Sequence, residues 1–298
     1  MSGAASTSAA DRPKITATVT AFERIAQTLD TVRRLESCRP PPAEIIVHVD
    51  AARHDCAAAV RAAFPAARVI VSETGVGPGG GRNRLMEAAS HELVAAFDDD
   101  SYPIDADFFA RAAALFDSLP GISLATAQMV HPGETLAPDR RVFRATGGFN
   151  GGGAVFRRSH LLETGGYLPL PIAYGVEEED IALRLIDRGR LLVFTPFLRV
   201  FHNTDRAHHA EPRVNAATIA NIALLAFLRY PPRFYPRAML QLANRVRFCL
   251  RKGRLRGVAS GLGMIPLHLW RMRAHRRLVS AAAVAEKRAL RKGAWTDF

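Results

Sequence analysis

Leu93-Val94-Ala95-Ala96-Phe97 is an unbroken apolar run that ends in Asp98-Asp99-Asp100-Ser101. A short run of this kind suits a strand covered on both faces, as in a parallel sheet with helices on either side. The three carboxylates fall where the strand would emerge. In open α/β sheets the carboxyl ends of strands are where ligands bind. Adjacent carboxylates repel one another unless a cation sits among them. The alternative is an acidic loop or an N-cap for a helix beginning near Asp105, since Asp caps helices well.

The flanking segments repeat one rhythm. Ile15 to Thr20 is β-branched and reads as a first strand, and Phe22 to Leu35 carries Phe22, Ile25, Ala26, Leu29 and Val32 at helical spacing. Pro40-Pro41-Pro42 stops that helix, and Glu44 to Val49 reads as a second strand ending at Asp50. An alanine-rich helix to about Ala63, a strand at Arg68 to Val71, a glycine loop at Gly75 to Gly81 and a helix from about Arg82 to Ala89 follow. A helix over Ala106 to Phe116 leads to a strand at Ile122 to Val130, and residues 131–150 read as a loop. Such alternation predicts a mostly parallel sheet with helices on both faces.

Gly75-Val76-Gly77-Pro78-Gly79-Gly80 fits G-x-G-x-x-G, with acidic residues about 20 positions on. This is the dinucleotide-binding pattern, so a nicotinamide-dependent oxidoreductase is one reading. Against it, Ser72-Glu73-Thr74 separates the strand from the glycines, and two strands precede a unit that usually opens its fold.

A second acidic cluster, Glu177-Glu178-Glu179-Asp180, opens a helix whose Ile181, Ala182, Leu185 and Ile186 form a buried stripe closed by Gly189. Carboxylates are favoured in a first helical turn, but four in a row exceed what capping needs. One held there as the anion is what a general base for a hydroxyl requires. Leu191 to Thr195 and Leu198 to Phe201 read as short strands, the second ending at His202.

Charge divides the chain. Of the net +12, residues 205–298 contribute +15 from 19 Lys/Arg and four Asp/Glu, whereas residues 1–204 carry −3. A basic tail on an acidic body implies an anionic partner surface, either membrane or nucleic acid. Cys38, Cys56 and Cys249 are odd in number and far apart, which points to a reducing compartment. Met1 to Arg12 is small and polar without an apolar core, so residues 1–13 read as a disordered tail and not a signal peptide.

Together these pieces resemble the family 2 glycosyltransferases of the GT-A fold over roughly residues 14–203. Thr20-Ala21-Phe22-Glu23-Arg24 matches the family's first segment, keeping its aromatic and arginine, with Glu23 in place of the usual Asn. Asp50 matches the aspartate that contacts the nucleobase, and Gly77 through Arg82-Asn83 the glycine loop followed by Arg-Asn. Asp98-Asp99-Asp100 matches the D-x-D element. Gly151-Gly152-Gly153 and Gly165-Gly166-Tyr167 match the acceptor-side segment. Glu177-Glu178, spacer Glu179, then Asp180-Ile181 matches the acidic motif, with Glu178 replacing the usual Asp base. His202 matches a histidine that some members use as a further metal ligand.

The resemblance implies an α/β, Rossmann-like, mostly parallel GT-A sheet over residues 14–205, with residues 206–298 as a basic helical appendage. It implies Ala21, Phe22, Arg24, Asp50, Gly77, Arg82, Asn83, Asp98 and Asp99 on the nucleotide side. Asp98, Asp100 and His202 would hold Mn²⁺ or Mg²⁺, and Glu178, Glu177 and Asp180 form the catalytic cluster. Glu177 and Glu178 both stand as candidates for the base. The partners implied are a nucleotide-sugar donor and a carbohydrate or lipid-linked acceptor.

In the tail, Ile219 to Leu228 and Val258 to Trp270 are apolar but shorter than the ~20 residues that span a bilayer. Beside arginines 271, 273, 276 and 277, they suit helices lying in a membrane interface. The alternative is an appendage packed on the catalytic body. The expected place is cytoplasmic, peripheral on the inner face of the cell membrane, and without a nucleic-acid partner, because no recognised binding motif accompanies the charge.

Overall fold

β-branched residues make β1 (Ile15–Ala21), which lies between β2 (Glu44–Val49) and β4 (Leu93–Asp98) and is parallel to both. This computed structural model describes residues 13–170, 176–204, 210–290 and 293–298. The expected tail over residues 1–12 and the expected boundary at 205–206 lie outside the described residues. β3 (Arg68–Val71) extends the parallel set, and α1 (Ile25–Ser37), α2 (His54–Ala63) and α3 (Gly77–Ala88) make the crossovers. Register fixes the site: Ala21 lies opposite Val49 and Thr20 opposite Asp98, so β1, β2 and β4 end at one edge.

β5 (Ser101–Pro103), α4 (Phe108–Ser118), β6 (Ile122–Val130), β7 (Val142–Ala145), β8 (Ala154–Arg157), α5 (Arg158–Glu163), α6 (Glu177–Ile186) and β9 (Leu191–His202) follow. The strand order is β10-β7-β9-β6-β8-β4-β1-β2-β3, with β10 at Thr296–Asp297 and β5 paired to β9. β8 runs antiparallel between β4 and β6, and β9 is parallel to β6.

The acidic strand is covered on both faces, as its sequence demands. Ala95 and Phe97 join the layer made with Val32, Leu35, Val60 and Phe108. Val94 and Ala96 join the opposite layer with Leu85, Met86, Phe156 and Ile181. This is the two-residue alternation of a strand with a helix layer on each side.

Three local expectations change. The glycine loop is not a loop throughout, because α3 starts at Gly77 and uses Pro78 near its first position. The two short strands before His202 form the single strand β9, with a shift in register where Ala127 faces Thr195 but Gln128 faces Arg199. Pro196 has no N–H for the ladder, so the chain bulges there. The segment read as a loop over 131–150 contains β7, which pairs with β9.

The C-terminal part is helical: α7 (Pro212–Arg229), α8 (Tyr235–Arg251), α9 (Leu255–Met272) and α10 (Ala281–Ala289). α7 is not available to a membrane along its apolar run, because Ile219, Leu224 and Leu228 are fully buried. Leu224 and Leu228 pack with Leu168, Leu170 and Val176. α9 comes close to α7 at two glycines. A Cβ on Gly261 would lie 2.8 Å from Ala216 O and 2.9 Å from Ile219 Cβ, and one on Gly257 2.8 Å from Asn215 Cβ. α10 packs on α6, where Lys287 Nζ lies 2.8 Å from Glu179 Oε2. Trp295 packs on Phe194, and Phe298 on Phe143 and Phe197, at the edge where β10 pairs with β7. Among the described residues no helix is long and apolar enough to cross a membrane.

Candidate functional site

At the common edge of β1, β2 and β4, Asp50 turns its carboxylate to the start of α3. Its Oδ1 accepts from Ala51 N and Val76 N at 2.9 Å, and its Oδ2 accepts from Gly77 N at 2.9 Å. Asp50 therefore caps the positive end of α3. The same contact counts against dinucleotide binding, since the N–H groups that would cradle a pyrophosphate are already paired. Ala51 and Ala52 hold φ of 52° and 54°, a left-handed turn that alanine adopts only at a cost. Ala21 is buried at the end of β1 and its carbonyl accepts from Asp50 N at 3.0 Å. Phe22 is 44% exposed and carries the Arg53 guanidinium 5.1 Å above its ring.

The three aspartates part company. Asp98 Oδ1 accepts from Arg82 Nη2 at 2.6 Å and from Thr20 Oγ1 at 3.2 Å. Asp99 is buried and paired with Arg24, and burial pushes its carboxyl up to about 6. Asp100 is 3% exposed and takes Arg24 Nη1 at 2.6 Å on Oδ2. Among the described residues its Oδ1 has no well-formed hydrogen bond, yet His202 Nε2 lies 3.2 Å away. Burial would raise Asp100, but His202 and Arg24 outweigh it and hold the carboxyl below its usual value. β5–β9 pairing sets Ser101 opposite His202, which brings the imidazole to Asp100.

Arg82 lies between the two acidic clusters. Buried to 5% exposure, it holds Asp98 through Nη2 and has Nη1 3.6 Å from Glu178 Oε1. Burial opposes the guanidinium charge, but Asp98, Tyr167, Glu178 and Glu177 around it raise the pKa. The neighbouring glycines make this packing possible. A Cβ on Gly151 would lie 2.7 Å from Arg82 Nη2 and 2.8 Å from Glu178 Oε1; one on Gly152 would collide with the Asp98 carboxylate. Gly153 meets Val200 and Met129.

Asn83 ties α3 to the second glycine turn. Its Nδ2 donates to Tyr167 O at 3.0 Å and its Oδ1 accepts from Tyr167 N at 2.7 Å. Gly165 and Gly166 hold φ of +84° and +73°, and a Cβ on Gly166 would meet Asn83 Oδ1 at 2.5 Å. The Tyr167 hydroxyl is buried without a hydrogen-bond partner among the described residues, and burial raises its pKa.

Glu177 and Glu178 differ in access. Glu177 is 6% exposed and abuts Gly79, where a Cβ would lie 2.7 Å from its Oε1. Burial and the neighbouring Glu178 push it up to about 7. The Glu178 side chain is 27% exposed; burial raises its carboxyl and Arg82 opposes the rise. Asp180 is fully buried, and an arginine engages each of its carboxylate oxygens. Its Oδ2 takes Arg184 Nη2 and its Oδ1 takes Arg229 Nε, each at 2.5 Å. Arg184 continues to the carbonyls of Thr164 and Gly166 at 2.6 Å, supporting the turn before Tyr167.

Two neighbours escape a reading of the sequence, Arg229 and Arg184. Arg229 carries no local signal, because only the fold brings it to Asp180, just as only the fold brings Thr20 of the first matched segment to Asp98. Arg184 does carry one, four residues after Asp180 on the same helix. For a metal, the structure joins Asp100 to His202 and gives one Asp98 oxygen to Arg82. Among the described residues no group of three or more His, Cys, Asp or Glu stands ready to hold an ion.

Comparison with known proteins gives the same fold. A search of the curated proteins gives no match. The structure of GalNAc-T7 with UDP, GalNAc and Mn²⁺ is similar with a TM-score of 0.60 and 14% identity, over 74% of this chain and 49% of that one. The chain thus spans about half the length of that relative. The mannosyltransferase PcManGT from Pyrobaculum calidifontis, in complex with GDP-Man and Mn²⁺, gives a TM-score of 0.58 and 18% identity over 95% and 89% of the two chains. S. aureus TarS 1-349 with UDP-GlcNAc gives 0.52 and 15% over 88% and 92%. The sequence model of Glycosyl transferase family 2 matches residues 15–163, half of the chain, ending before α6. The chain belongs to glycosyl transferase family 2.

Proposed function

We propose that this enzyme moves a sugar from a nucleoside-diphosphate sugar to an acceptor hydroxyl, inverting the anomeric carbon. One observation carries the reading. Arg82 is held between Asp98 and Glu178, so the two acidic clusters face one another across a single guanidinium. The nucleotide side is then Ala21, Phe22, Arg24, Asp50, Gly77, Arg82, Asn83, Asp98 and Asp99, with Phe22 open to stack on a base. Asp50 and Asn83 act there by fixing α3 and the turn before Tyr167. Gly151 to Gly153 and Gly165 to Tyr167 line the acceptor side.

A divalent cation fits this site, because the unbonded Asp100 oxygen and His202 Nε2 offer a carboxylate and an imidazole 3.2 Å apart. GalNAc-T7 and PcManGT hold Mn²⁺, which favours Mn²⁺ or Mg²⁺ here. Such an ion neutralises the negative charge that builds on the departing diphosphate. Asp100 and His202 would hold it, with Asp98 as the further carboxylate. Glu178, the more accessible of the glutamate pair, takes the acceptor hydroxyl proton. The hydroxyl oxygen then bonds to the anomeric carbon as the bond from that carbon to the phosphate oxygen breaks. The electron pair leaves with the nucleoside diphosphate.

The acceptor class that fits is a carbohydrate or lipid-linked hydroxyl in cell-surface polysaccharide or glycolipid assembly. That role places the enzyme in the cytoplasm, peripheral on the inner face of the cell membrane. The donor reading is tested by calorimetry with UDP, dTDP and GDP, with and without Mn²⁺. Binding of one nucleotide that requires metal and is lost in Asp100→Ala is the expected result. Tight metal-free binding of NAD would overturn it.

A further inference from the structure

We infer that the α8–α9 hairpin is a docking surface for an anionic lipid bilayer, lying among the headgroups and not crossing them. This deepens the membrane placement proposed above and depends on no part of the donor chemistry. α9 carries large apolar side chains on the face turned to solvent as well as on the face it packs. Its inward face meets α7 with Gly257, Val258, Gly261 and His268, and His268 Nε2 lies 2.8 Å from Asn221 Oδ1. Its outward face carries Leu255, Leu262, Leu267 and Trp270, with Leu255 63% and Trp270 60% exposed. Positions 255, 259, 262, 266 and 270 recur at three- and four-residue steps and fall on one side of a helix. Met239 and Leu240 on α8 are 70% and 60% exposed. Val258, Leu269 and Met272 pack inward with the polar pair, while Leu255, Leu262, Leu267 and Trp270 remain outside.

Charge identifies the occupant. Residues 212–285 hold 14 Lys/Arg and neither Asp nor Glu. Exposed Arg251, Lys252 and Arg256 sit at the turn between the helices, and Arg271 follows Trp270. Arg273 lies 4.3 Å over the Trp270 ring, an indole and guanidinium pair suited to the boundary between acyl chains and headgroups. A second copy of the chain is disfavoured, since it would bring two such basic surfaces together. A span is excluded for α9, which carries Pro266 and is not apolar enough. Apolar residues ringed by basic ones, with carboxylates absent from the segment, match an anionic interface.

Sedimentation of the full chain with phosphatidylcholine vesicles, with and without phosphatidylserine, tests this. Binding should rise about tenfold or more with phosphatidylserine and weaken only partly at high salt, because buried apolar side chains are not screened. The triple variant Leu262→Ser, Leu267→Ser, Trp270→Ser should lose about tenfold or more with every arginine intact. Arg251→Ser, Lys252→Ser, Arg256→Ser, Arg271→Ser should lose the phosphatidylserine preference. Thermal melting and nucleotide binding, unchanged in both variants, exclude misfolding. Vesicle binding by the apolar variant equal to wild type would overturn the inference. So would a wild-type dimer that this variant dissociates, or wild-type protein that ignores anionic vesicles but binds RNA with steep salt dependence. Vesicle binding without any nucleotide binding would sink the donor reading and leave this one standing.

Discussion

Arg229 Nε donates to Asp180 Oδ1 at 2.5 Å, and both side chains are buried, at 4% and 0% exposure. The pair joins the end of α7 to the first turn of α6, two residues after Glu178. Arg229 also donates to the carbonyls of His275 and Arg277, so one guanidinium holds α6, α7 and the segment after α9. The start of α6 with its acidic motif, the end of α7 and the segment that follows α9 are thus braced through the same residue.

Removing one partner of a buried pair leaves the other charge uncompensated. Arg229→Met should therefore lower stability by about 3 kcal/mol, near the low end for such pairs because Arg184 still serves Asp180. Chemical denaturation reads this directly, and a variant as stable as wild type would show that the brace is dispensable.

The α7–α9 contact gives a sharper packing test. Gly261→Ala should destabilise by about 1–3 kcal/mol, because its Cβ would press on the backbone of Ala216. Gly263 is two residues on in the same helix and meets nothing within 4 Å. Gly263→Ala should be neutral or stabilising by about 0.5–1 kcal/mol, from helix propensity alone. Equal melting shifts for the two would mean that the close approach does not exist.

Access separates the glutamates. Glu178→Gln keeps shape and loses basicity, so donor binding should persist while transfer falls by roughly 10²-fold or more. Glu177→Gln should retain most of the transfer rate, since Glu177 is 6% exposed against Gly79 whereas the Glu178 side chain is 27% exposed. The reverse ranking in a single-turnover assay would move the base one residue earlier.

Glu177 also sets a pH dependence of stability. Its folded pKa, raised from 4.5 to about 7, means that the folded state binds more protons than the unfolded chain between those values. Its contribution is therefore fully present below pH 4.5 and is lost as pH rises through about 7. Urea unfolding at pH 5 and pH 7.5 should show wild type losing stability over this interval more than Glu177→Gln does. Identical pH slopes in the two proteins would contradict the raised pKa.

Periodicity and turn residues made much of the fold legible. β-branched runs marked β1, β2, β3 and β6 to within a residue, and the apolar run at Leu93 announced a strand buried on both faces. The acidic motifs marked the strand end and helix start that meet at Arg82. Local sequence carries such information because side-chain period and capping act over a few residues. Partners that are distant along the chain are decided only by the tertiary structure. Asp180 stands in the acidic motif, and only the tertiary structure sets Arg229, 49 residues on, against it. Asp50 reads as a nucleotide contact, and only parallel pairing of β1 and β2 sets it against the start of α3. The apolar runs of α7 and α9 look alike in sequence. Packing buries the first, while the second meets α7 through its two glycines and leaves Leu255, Leu262 and Leu267 outward. Composition fixes how much apolar surface a helix has, but the neighbours it meets fix which side is covered.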